Sequence, residues 1–265
     1  MSGLFAILSP AKTLDMTASA DTSISTTRPR LATRTRTLAE ALQDYSPARL
    51  GKLMSISEKL SRENADRFAA FGSRSNPRAA AAMCFRGDVY QGLEAWTLKD
   101  KAIAWLQDHV RILSGLYGIL RPLDVIQAYR LEMGTQLKNE QGKDLYAFWG
   151  DDIAGIIRKD MKAAKATTLV NLASDEYSKA ARLDELDAPI VNVKFLQVDK
   201  GKAKFISFYG KHARGLMARW MAENRPRTVS DLGKFNSQGY RFAKGDSSDD
   251  QLVFTRPKPA PAKAG

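Results

Sequence analysis

Apolar and polar positions follow two different periods along this chain, and the two periods predict strands and helices. The continuously apolar run 4–8 ends at Ser9-Pro10, as expected of a buried strand followed by a loop. From Leu31 onward the apolar residues recur every three to four positions, which is the period of a helix. Ser46-Pro47 is typical of a helix start, with a capping hydroxyl before a proline in the first turn.

Later runs continue this mixture of elements. Apolar or β-branched runs predict strands at 81–85, 110–113, 167–172, 189–198 and 203–208. The polar turn 199–202 predicts that the last two of these strands form a hairpin. Helical periodicity predicts one helix over 145–161 and another over 212–222, whose apolar side anchors it while its cations point outward.

Strands and helices alternate without a repeat, and no linker rich in Pro or Gly divides the chain internally. We therefore expect one compact α+β domain over 1–256, with a mixed β-sheet flanked by helices and a helical insertion near the N-terminus. The remaining stretch, 257–265, is rich in Pro, Ala and Lys, and this composition predicts a disordered basic tail.

Charge changes the picture from fold to partners. Lys and Arg number 41 against 29 Asp and Glu, so the formal net charge of this 265-residue chain is +12. Such a balance favours anionic partners, namely nucleic acid, an acidic membrane surface or phosphorylated metabolites. It is equally compatible with a basic surface that is merely solvated.

Cysteine and histidine are scarce, and this limits the chemistry that we expect. The single Cys84 cannot form an internal disulfide, which fits a reducing cytoplasm. With two histidines and no cysteine pair, no zinc-ligand spacing exists, so we expect neither a metal nor a cofactor. No apolar run approaches membrane-spanning length, and the N-terminus lacks the basic flank of a signal peptide.

Three motifs carry candidate anion-binding residues. The first, Ser9-Pro-Ala-Lys-Thr13, follows a predicted strand, where ligand loops often lie, and it offers Lys12 to a phosphate. It lacks the glycines of a Walker A loop, and an exposed capping turn explains it equally well. The second, Tyr129-Arg-Leu-Glu-Met-Gly134, places Arg130 and Glu132 on the same side of an extended strand. Arg130 either grips a phosphate or simply pairs with Glu132.

The third motif is the predicted helix 212–222 and the residues that precede it. Lys211 and Arg214 are three residues apart and share one side of the helix, with Arg219 nearby. These cations either bind an anionic partner or form an ordinary solvated surface.

The segment Ser114-Gly-Leu-Tyr-Gly118 combines closely spaced glycines with two flanking cations, Arg111 and Arg121. Glycines let a backbone approach another backbone or a ligand, and free amides in such a turn suit phosphate. The segment therefore invites comparison with the hairpin of a helix-hairpin-helix. Two residues rather than one separate Gly115 from Gly118, so a tight buried turn remains the alternative.

Taken together, these motifs resemble the YaaA family of bacterial peroxide-stress proteins. The resemblance rests on several segments that occur in the family's order, and these are 8–15, 87–93, 113–124, 129–135, 145–150, 171–174, 207–220 and 239–242. It implies one α+β domain of unusual topology with a basic cleft, located in the cytoplasm. It also implies DNA binding through a helix-hairpin-helix-like element, which falls on Ser114–Gly118, and a role in limiting iron-driven oxidative damage.

The leading hypothesis is a cytoplasmic, monomeric DNA-binding protein of the hydrogen peroxide response, which reads DNA shape and phosphates rather than base sequence. Its predicted contact residues are Lys12, Arg111, Ser114, Gly115, Gly118, Arg121, Arg130, Lys211, Arg214 and Arg219.

The alternative is an enzyme acting on a phosphorylated or nucleotide-like small molecule. Lys12, Arg130 and Lys211 would form its anion site, with Asp88 or Glu132 as acid or base. A third reading, direct iron handling, finds only carboxylate ligands, which bind iron weakly, so we expect any effect on iron to be indirect.

Overall fold

A mainly parallel mixed sheet forms the centre of the protein, whose computed structural model describes residues 3–19 and 22–259. The strands are β1 Leu4–Leu8, β2 Thr13–Leu14, β3 Arg78–Ala80, β4 Phe85–Arg86, β5 Val110–Ser114, β6 Gly118–Leu120, β7 Val125–Gln127, β8 Thr168–Leu172, β9 Ile190–Asp199, β10 Lys202–Lys204, β11 Arg241–Phe242 and β12 Gln251–Pro257. The eight-stranded main sheet has the order β11-β12-β9-β8-β1-β5-β6, with β10 paired to β9. The pairs β2-β4 and β3-β7 form two small sheets beside it.

Helices cover the main sheet. They are α1 Ala32–Gln43, α2 Pro47–Met54, α3 Glu58–Ala69, α4 Ala81–Cys84, α5 Asp88–Leu93, α6 Asp100–His109, α7 Leu145–Trp149, α8 Asp152–Ala163, α9 Asp175–Ala180, α10 Ser207–Asn224 and α11 Val229–Leu232. Helices α1 to α3 are the predicted N-terminal insertion. In the described parts of the chain, no helix is both long and apolar enough to cross a membrane.

The position of β1 in the sheet determines where a ligand site can form. Strand β1 is fully buried and parallel to β5 on one side and to β8 on the other. The strand order therefore reverses at β1. Strand β5 lies on one side of β1, whereas the later strands β8 and β9 lie on the other side. In sheets of this kind, the crevice beyond the carboxyl ends of the strands at such a reversal is the usual place for a ligand.

Helices α5 and α10 pack backbone against backbone, and glycines make this possible. A Cβ on Gly92 would collide with the carbonyl oxygen of His212, and one on Gly215 would collide with that of Val89. The two helices therefore approach more closely than side chains would allow. This contact fixes the start of α5 against the first turns of α10, where Lys211 and Arg214 lie.

The structure confirms the predicted fold class, a single α+β domain with a mixed sheet flanked by helices. The strands expected at 4–8, 110–113, 167–172 and 189–198 are present within one or two residues. Continuous burial explains the agreement for β1 and β5, because a largely apolar run between two covered faces has few other ways to fold, whereas β9 alternates between buried and more exposed positions.

Three predicted elements are wrong in detail. The predicted strand 81–85 is the one-turn helix α4 between two short strands, and the predicted strand 203–208 ends at Lys204 because α10 begins at Ser207. The predicted helix 145–161 is two helices, since the backbone at Gly150 has φ +48° and breaks the helical path. The predicted tail begins inside β12, which ends at Pro257, and 260–265 lie outside the described residues.

The predicted helix-hairpin-helix element is also wrong. Residues Ser114 to Gly118 join β5 to the antiparallel β6, so strands rather than helices flank the turn. Gly118 has φ +69°, which a tight turn between strands requires, and the indole of Trp149 packs against it. The glycines therefore allow the turn to pack closely against the core of the protein.

Candidate functional site

A polar pocket of about 370 Å³ lies at the carboxyl ends of β1 and β8. The loop after β1, the start of α5, the segment 129–132, the start of α9 and the first turns of α10 all contribute to its lining. The pocket therefore lies in the crevice that the strand order predicts.

Two serines join the loops at the floor of the pocket. The backbone N–H of Ser174 donates to Oγ of Ser9 at 2.9 Å, and the hydroxyl of Tyr90 donates to the carbonyl oxygen of Ser9 at 3.1 Å. Because Ser9 follows β1 and Ser174 follows β8, these bonds hold the two strand ends together. The loop that contains Ser9 is thus held in place by these bonds, and Lys12 lies on this loop.

One side of the pocket carries a cluster of two cations around one carboxylate. Nζ of Lys12 lies 2.7 Å from Oε2 of Glu132, and Nη2 of Arg130 lies 3.6 Å from Oε1 of the same carboxylate. The Lys12 side chain is 58% exposed and that of Arg130 only 17%. Lys12 therefore lies at the mouth, while Arg130 lies deeper.

The opposite side of the pocket is formed by α10 and α5. Lys211 is exposed and Arg214 is half-buried, one turn further along α10. Burial lowers the pKa of Arg214, and the charge of Asp175 partly offsets this. Within residues 3–19 and 22–259, neither cation forms an ion pair closer than 4 Å. Both therefore keep their charge available to a ligand.

The segment 129–132 owes its position to the Ser-Gly turn after β5. Oγ of Ser114 and the hydroxyl of Tyr129 lie 2.6 Å apart, and a Cβ on Gly115 would collide with the backbone of Leu131. Burial raises the pKa of Tyr129 far above its ordinary value, so this hydroxyl stays protonated. The Ser-Gly turn is thus a support behind Arg130 and not a surface for an anion.

Four of the predicted contact residues are inaccessible. Ser114, Gly115 and Gly118 are buried, and Arg111 is 4% exposed. Nε of Arg111 donates to Oδ2 of Asp160 at 2.5 Å, and Arg30 pairs with the same carboxylate. The positions predicted as DNA contacts thus lie in packed surroundings, and Arg111 lies in a buried ion pair.

Two further predicted residues lie apart from the pocket and are paired. The guanidinium of Arg121 binds Asp124 at 3.0 Å. The guanidinium of Arg219 donates to Oγ1 of Thr97 at 2.8 Å and pairs with Glu223 at 3.1 Å. Of the ten predicted residues, the structure therefore brings four together in the pocket, namely Lys12, Arg130, Lys211 and Arg214.

The carboxylates of the pocket include both predicted acid/base candidates, Asp88 and Glu132. Sequence reasoning did not single out Ser174 and Glu176, which also line it. A signal for Ser174 existed, because it closely follows a strand, as Ser9 does. Glu176, whose Oε1 accepts from the backbone of Gly134 at 2.8 Å, belongs to the acidic pair 175–176, which is typical of a helix start and gave no separate indication of a site. In the described part of the chain, no group of three or more His, Cys, Asp or Glu could hold a metal ion.

Comparison with known proteins identifies the family to which the chain belongs. A family model described as "Peroxide stress protein YaaA" matches residues 4–246. The chain is similar to a UPF0246 protein of Phenylobacterium zucineum, with 47% identity over 97% of both chains. It is also similar to a UPF0246 protein of Idiomarina loihiensis, with 47% identity over 96% of this chain and 98% of the relative. A UPF0246 protein of Dinoroseobacter shibae is 44% identical over 98% of each chain.

Proposed function

Because the chain belongs to the YaaA family of peroxide stress proteins, we propose that it serves the peroxide response by binding a small phosphate-bearing ligand in the pocket. One observation carries this proposal. Lys12, Arg130, Lys211 and Arg214, which come from three separate segments of the chain, converge on one cavity. Such convergence of cations in a concave site is typical of recognition of a compact anion.

The size of the pocket favours a small ligand over a duplex. Ligand sites generally span about 300–1,000 Å³, and a volume of about 370 Å³ accommodates a molecule of nucleotide size. A nucleic acid duplex could approach only the mouth, where Lys12 and Lys211 are exposed. Arg130 and Arg214 lie deeper, so a duplex would leave their charge unused.

The pocket also contains groups that can move a proton. Asp88 begins α5 and Glu132 lies beside Arg130, so either carboxylate could act as a base toward a ligand that reaches the cationic side chains. The proposal therefore extends to an enzyme that acts on a phosphorylated or nucleotide-like molecule bound in the pocket.

Calorimetric titration of nucleoside monophosphates into the wild type, Arg130→Ala and Arg214→Ala tests the proposal. Each charge-assisted hydrogen bond to a poorly solvated arginine contributes about 1.5–3 kcal/mol, so each variant should bind roughly 10- to 150-fold more weakly. Arg36→Ala is the matched control, since Arg36 is an exposed residue of α1 away from the pocket. Equal affinity in all four proteins would contradict the proposal.

A second candidate, DNA binding, is supported by a separate surface. Phe205 and Phe208 are the large apolar side chains most exposed in the described residues, at 56% and 54%. They directly follow the hairpin of β9 and β10, which carries the exposed lysines Lys202 and Lys204. Aromatic side chains among cations are typical of surfaces on which unpaired bases stack.

DNA binding on this surface would be insensitive to base sequence and strongly dependent on salt. The logarithm of the affinity should fall linearly with the logarithm of salt concentration, with a slope of roughly −0.7 to −0.9 per phosphate neutralised. The double substitution Lys202→Ala and Lys204→Ala should make this slope less steep by the contribution of about two phosphates. Lys59→Ala in α3 should leave the slope unchanged. An affinity that is independent of salt would exclude this candidate.

We further propose that the protein acts in the cytoplasm as a monomer and that any effect on iron is indirect. Its single cysteine is buried, and burial raises the pKa of Cys84 to about 12, so its thiol suits a reducing compartment and stays unreactive. Light scattering on the purified protein tests the monomeric state directly. A dimer mass at micromolar concentration would overturn that part.

A further inference from the structure

Arg130 is mostly buried and yet its hydrogen-bonding capacity is unused. Its Nε is buried without a partner, and its ion pair with Glu132 spans 3.6 Å, which is too long for a hydrogen bond. In the described residues its guanidinium donates no hydrogen bond. An arginine carries five N–H donors, and buried donors are almost always satisfied. The buried Nε of Arg130 therefore points to an acceptor that a ligand would supply.

Arg214, across the same pocket, also has no internal hydrogen-bond partner, but its guanidinium nitrogens remain accessible to solvent. It is half-buried on α10, and its guanidinium neither donates a hydrogen bond nor forms an ion pair within residues 3–19 and 22–259. Asp175 influences it only as a charge at a distance. The pocket therefore contains two guanidinium groups on different elements, and each lacks an acceptor.

Buried or half-buried arginines elsewhere in the protein are satisfied. Each donates hydrogen bonds to a carboxylate, a carbonyl oxygen or a side-chain oxygen, and examples are Arg34, Arg111, Arg121, Arg219 and Arg256. The fold thus supplies acceptors to its other enclosed arginines. The lack of acceptors is particular to Arg130 and Arg214, because Arg86, which also lines the pocket, donates to Met83, Phe85 and Asp15.

Glu132 occupies the space where an anion would neutralise Arg130. Its two carboxylate oxygens face different cations, with Oε2 at Lys12 and Oε1 toward Arg130. A phosphate between Lys12 and Arg130 would make the same two contacts with better geometry, since arginine binds phosphate through two parallel hydrogen bonds. Glu132 is partly exposed, so it has room to move aside.

Building on the proposed function, we infer that the pocket has two anion subsites and that its ligand carries two phosphate groups. One subsite is formed by Arg130 and Lys12, and Glu132 holds it as a built-in anion until a ligand phosphate displaces this carboxylate. The other subsite is formed by Arg214 and Lys211 and is open. The ligand class is a molecule of nucleotide size with two phosphates, either joined directly or placed on two ends of a nucleoside.

Calorimetric titration with four probes tests this inference. The probes are inorganic phosphate, pyrophosphate, adenosine 5′-monophosphate and adenosine 3′,5′-bisphosphate. A two-phosphate probe should bind at least about tenfold more tightly than the corresponding one-phosphate probe, since the second subsite adds one charge-assisted contact. Pyrophosphate and the bisphosphate distinguish directly joined phosphates from separated ones.

Variants assign each phosphate to its subsite. Arg130→Ala and Arg214→Ala should each reduce the two-phosphate advantage to about onefold, whereas Arg36→Ala should preserve it. Glu132→Gln should increase the affinity for the two-phosphate probe several-fold, because a neutral amide competes poorly for Arg130. Thermal unfolding of each variant verifies that it remains folded, and Arg130→Lys, which keeps the charge but loses the fork, gives an intermediate result if folding is unimpaired.

The outcomes separate this inference from the proposed function. If one-phosphate and two-phosphate probes bind equally well and the arginine variants weaken both, the pocket binds an anion but has a single subsite, and the inference is overturned. If Glu132→Gln weakens binding, Glu132 contacts the ligand directly and is not a displaced anion, which also overturns it. If no probe binds, the proposed function fails as well.

Discussion

Arg111 and Arg130 lie on neighbouring segments of the chain, yet the fold treats their guanidinium groups in opposite ways. Arg111, on β5, is enclosed with Asp160 and donates to two backbone carbonyl oxygens as well. Arg130 is less enclosed, with 17% of its side chain exposed against 5% for Arg111, and it has no hydrogen-bond acceptor among the described residues. The first arginine completes a core, whereas the second has free hydrogen-bond donors, to which we propose that a ligand binds.

This difference shows how to separate structural from functional charge in a basic protein. Burial lowers the pKa of Arg111, and the carboxylate of Asp160 opposes this effect. A buried charge needs such a partner, because an unpaired one is expensive in a poorly polarisable interior. Where the protein leaves a half-buried cation without an acceptor, binding of an external anion is the explanation that we favour.

The largest effect should come from removing the partner of Arg111. Asp160→Ala leaves the buried Arg111 and the nearby Arg30 without their shared carboxylate, so we expect a loss of about 3–5 kcal/mol in the free energy of unfolding. Urea denaturation measures this loss. Asp151→Ala is the control, since it breaks only the exposed pair with Arg182 and should cost less than about 1 kcal/mol. Equal losses of stability in the two variants would contradict the difference between the buried ion pair and the exposed one.

The Ser-Gly turn tests the supporting region directly. Gly115→Ala places a methyl group against the backbone of Leu131, so we expect a loss of about 1–3 kcal/mol in the free energy of unfolding. The affinity for a phosphate probe should also fall, because Leu131 carries the neighbouring Arg130. Gly245→Ala is the matched control, since Gly245, like Gly115, has no positive φ but has no atom within 4 Å of an added Cβ. If Gly115→Ala were neutral, the turn would not be the support that we describe.

Acid should weaken the buried pair by a smaller amount than the substitution does. Burial alone would raise the pKa of Asp160, but the hydrogen bonds and charges of Arg30 and Arg111 outweigh it and lower the pKa below 3.8. A lowered folded pKa contributes stability above the ordinary value, and this contribution disappears as pH falls through the folded pKa. The stability gap between the wild type and Asp160→Ala should therefore narrow below about pH 4. A gap that widens there would show that the sign is wrong.

The smallest stability effect should come from the pocket arginines. Arg130→Met and Arg214→Met preserve much of the side-chain volume and remove no internal hydrogen bond, so the free energy of unfolding should change by less than about 0.5 kcal/mol or rise slightly. Arg111→Met, measured beside them by urea denaturation, should be clearly destabilising because it removes one of the two guanidinium groups that bind the buried Asp160 and leaves only Arg30. Comparable losses in all three variants would remove the distinction between the two regions.

Much of the fold was predictable because burial leaves a local pattern. The continuously apolar run of β1 and the largely apolar runs of β5 and β8 identified three strands that are neighbours in the sheet. Failures occurred where a single residue redirects the backbone, as Gly150 does between α7 and α8. A positive φ at glycine interrupts a helix without altering the apolar period on either side, so periodicity could not reveal it.

The candidate site was predictable only in its residue types. The sequence by itself indicated four cations suited to an anion, with Lys12 in a loop, Arg130 in an extended segment, and Lys211 and Arg214 on one side of a helix. Only the tertiary structure decided that these four converge while Arg111 is enclosed with Asp160. The physical reason is that pairing depends on which distant residue folding brings within about 4 Å of a charge, and no local pattern specifies that distance.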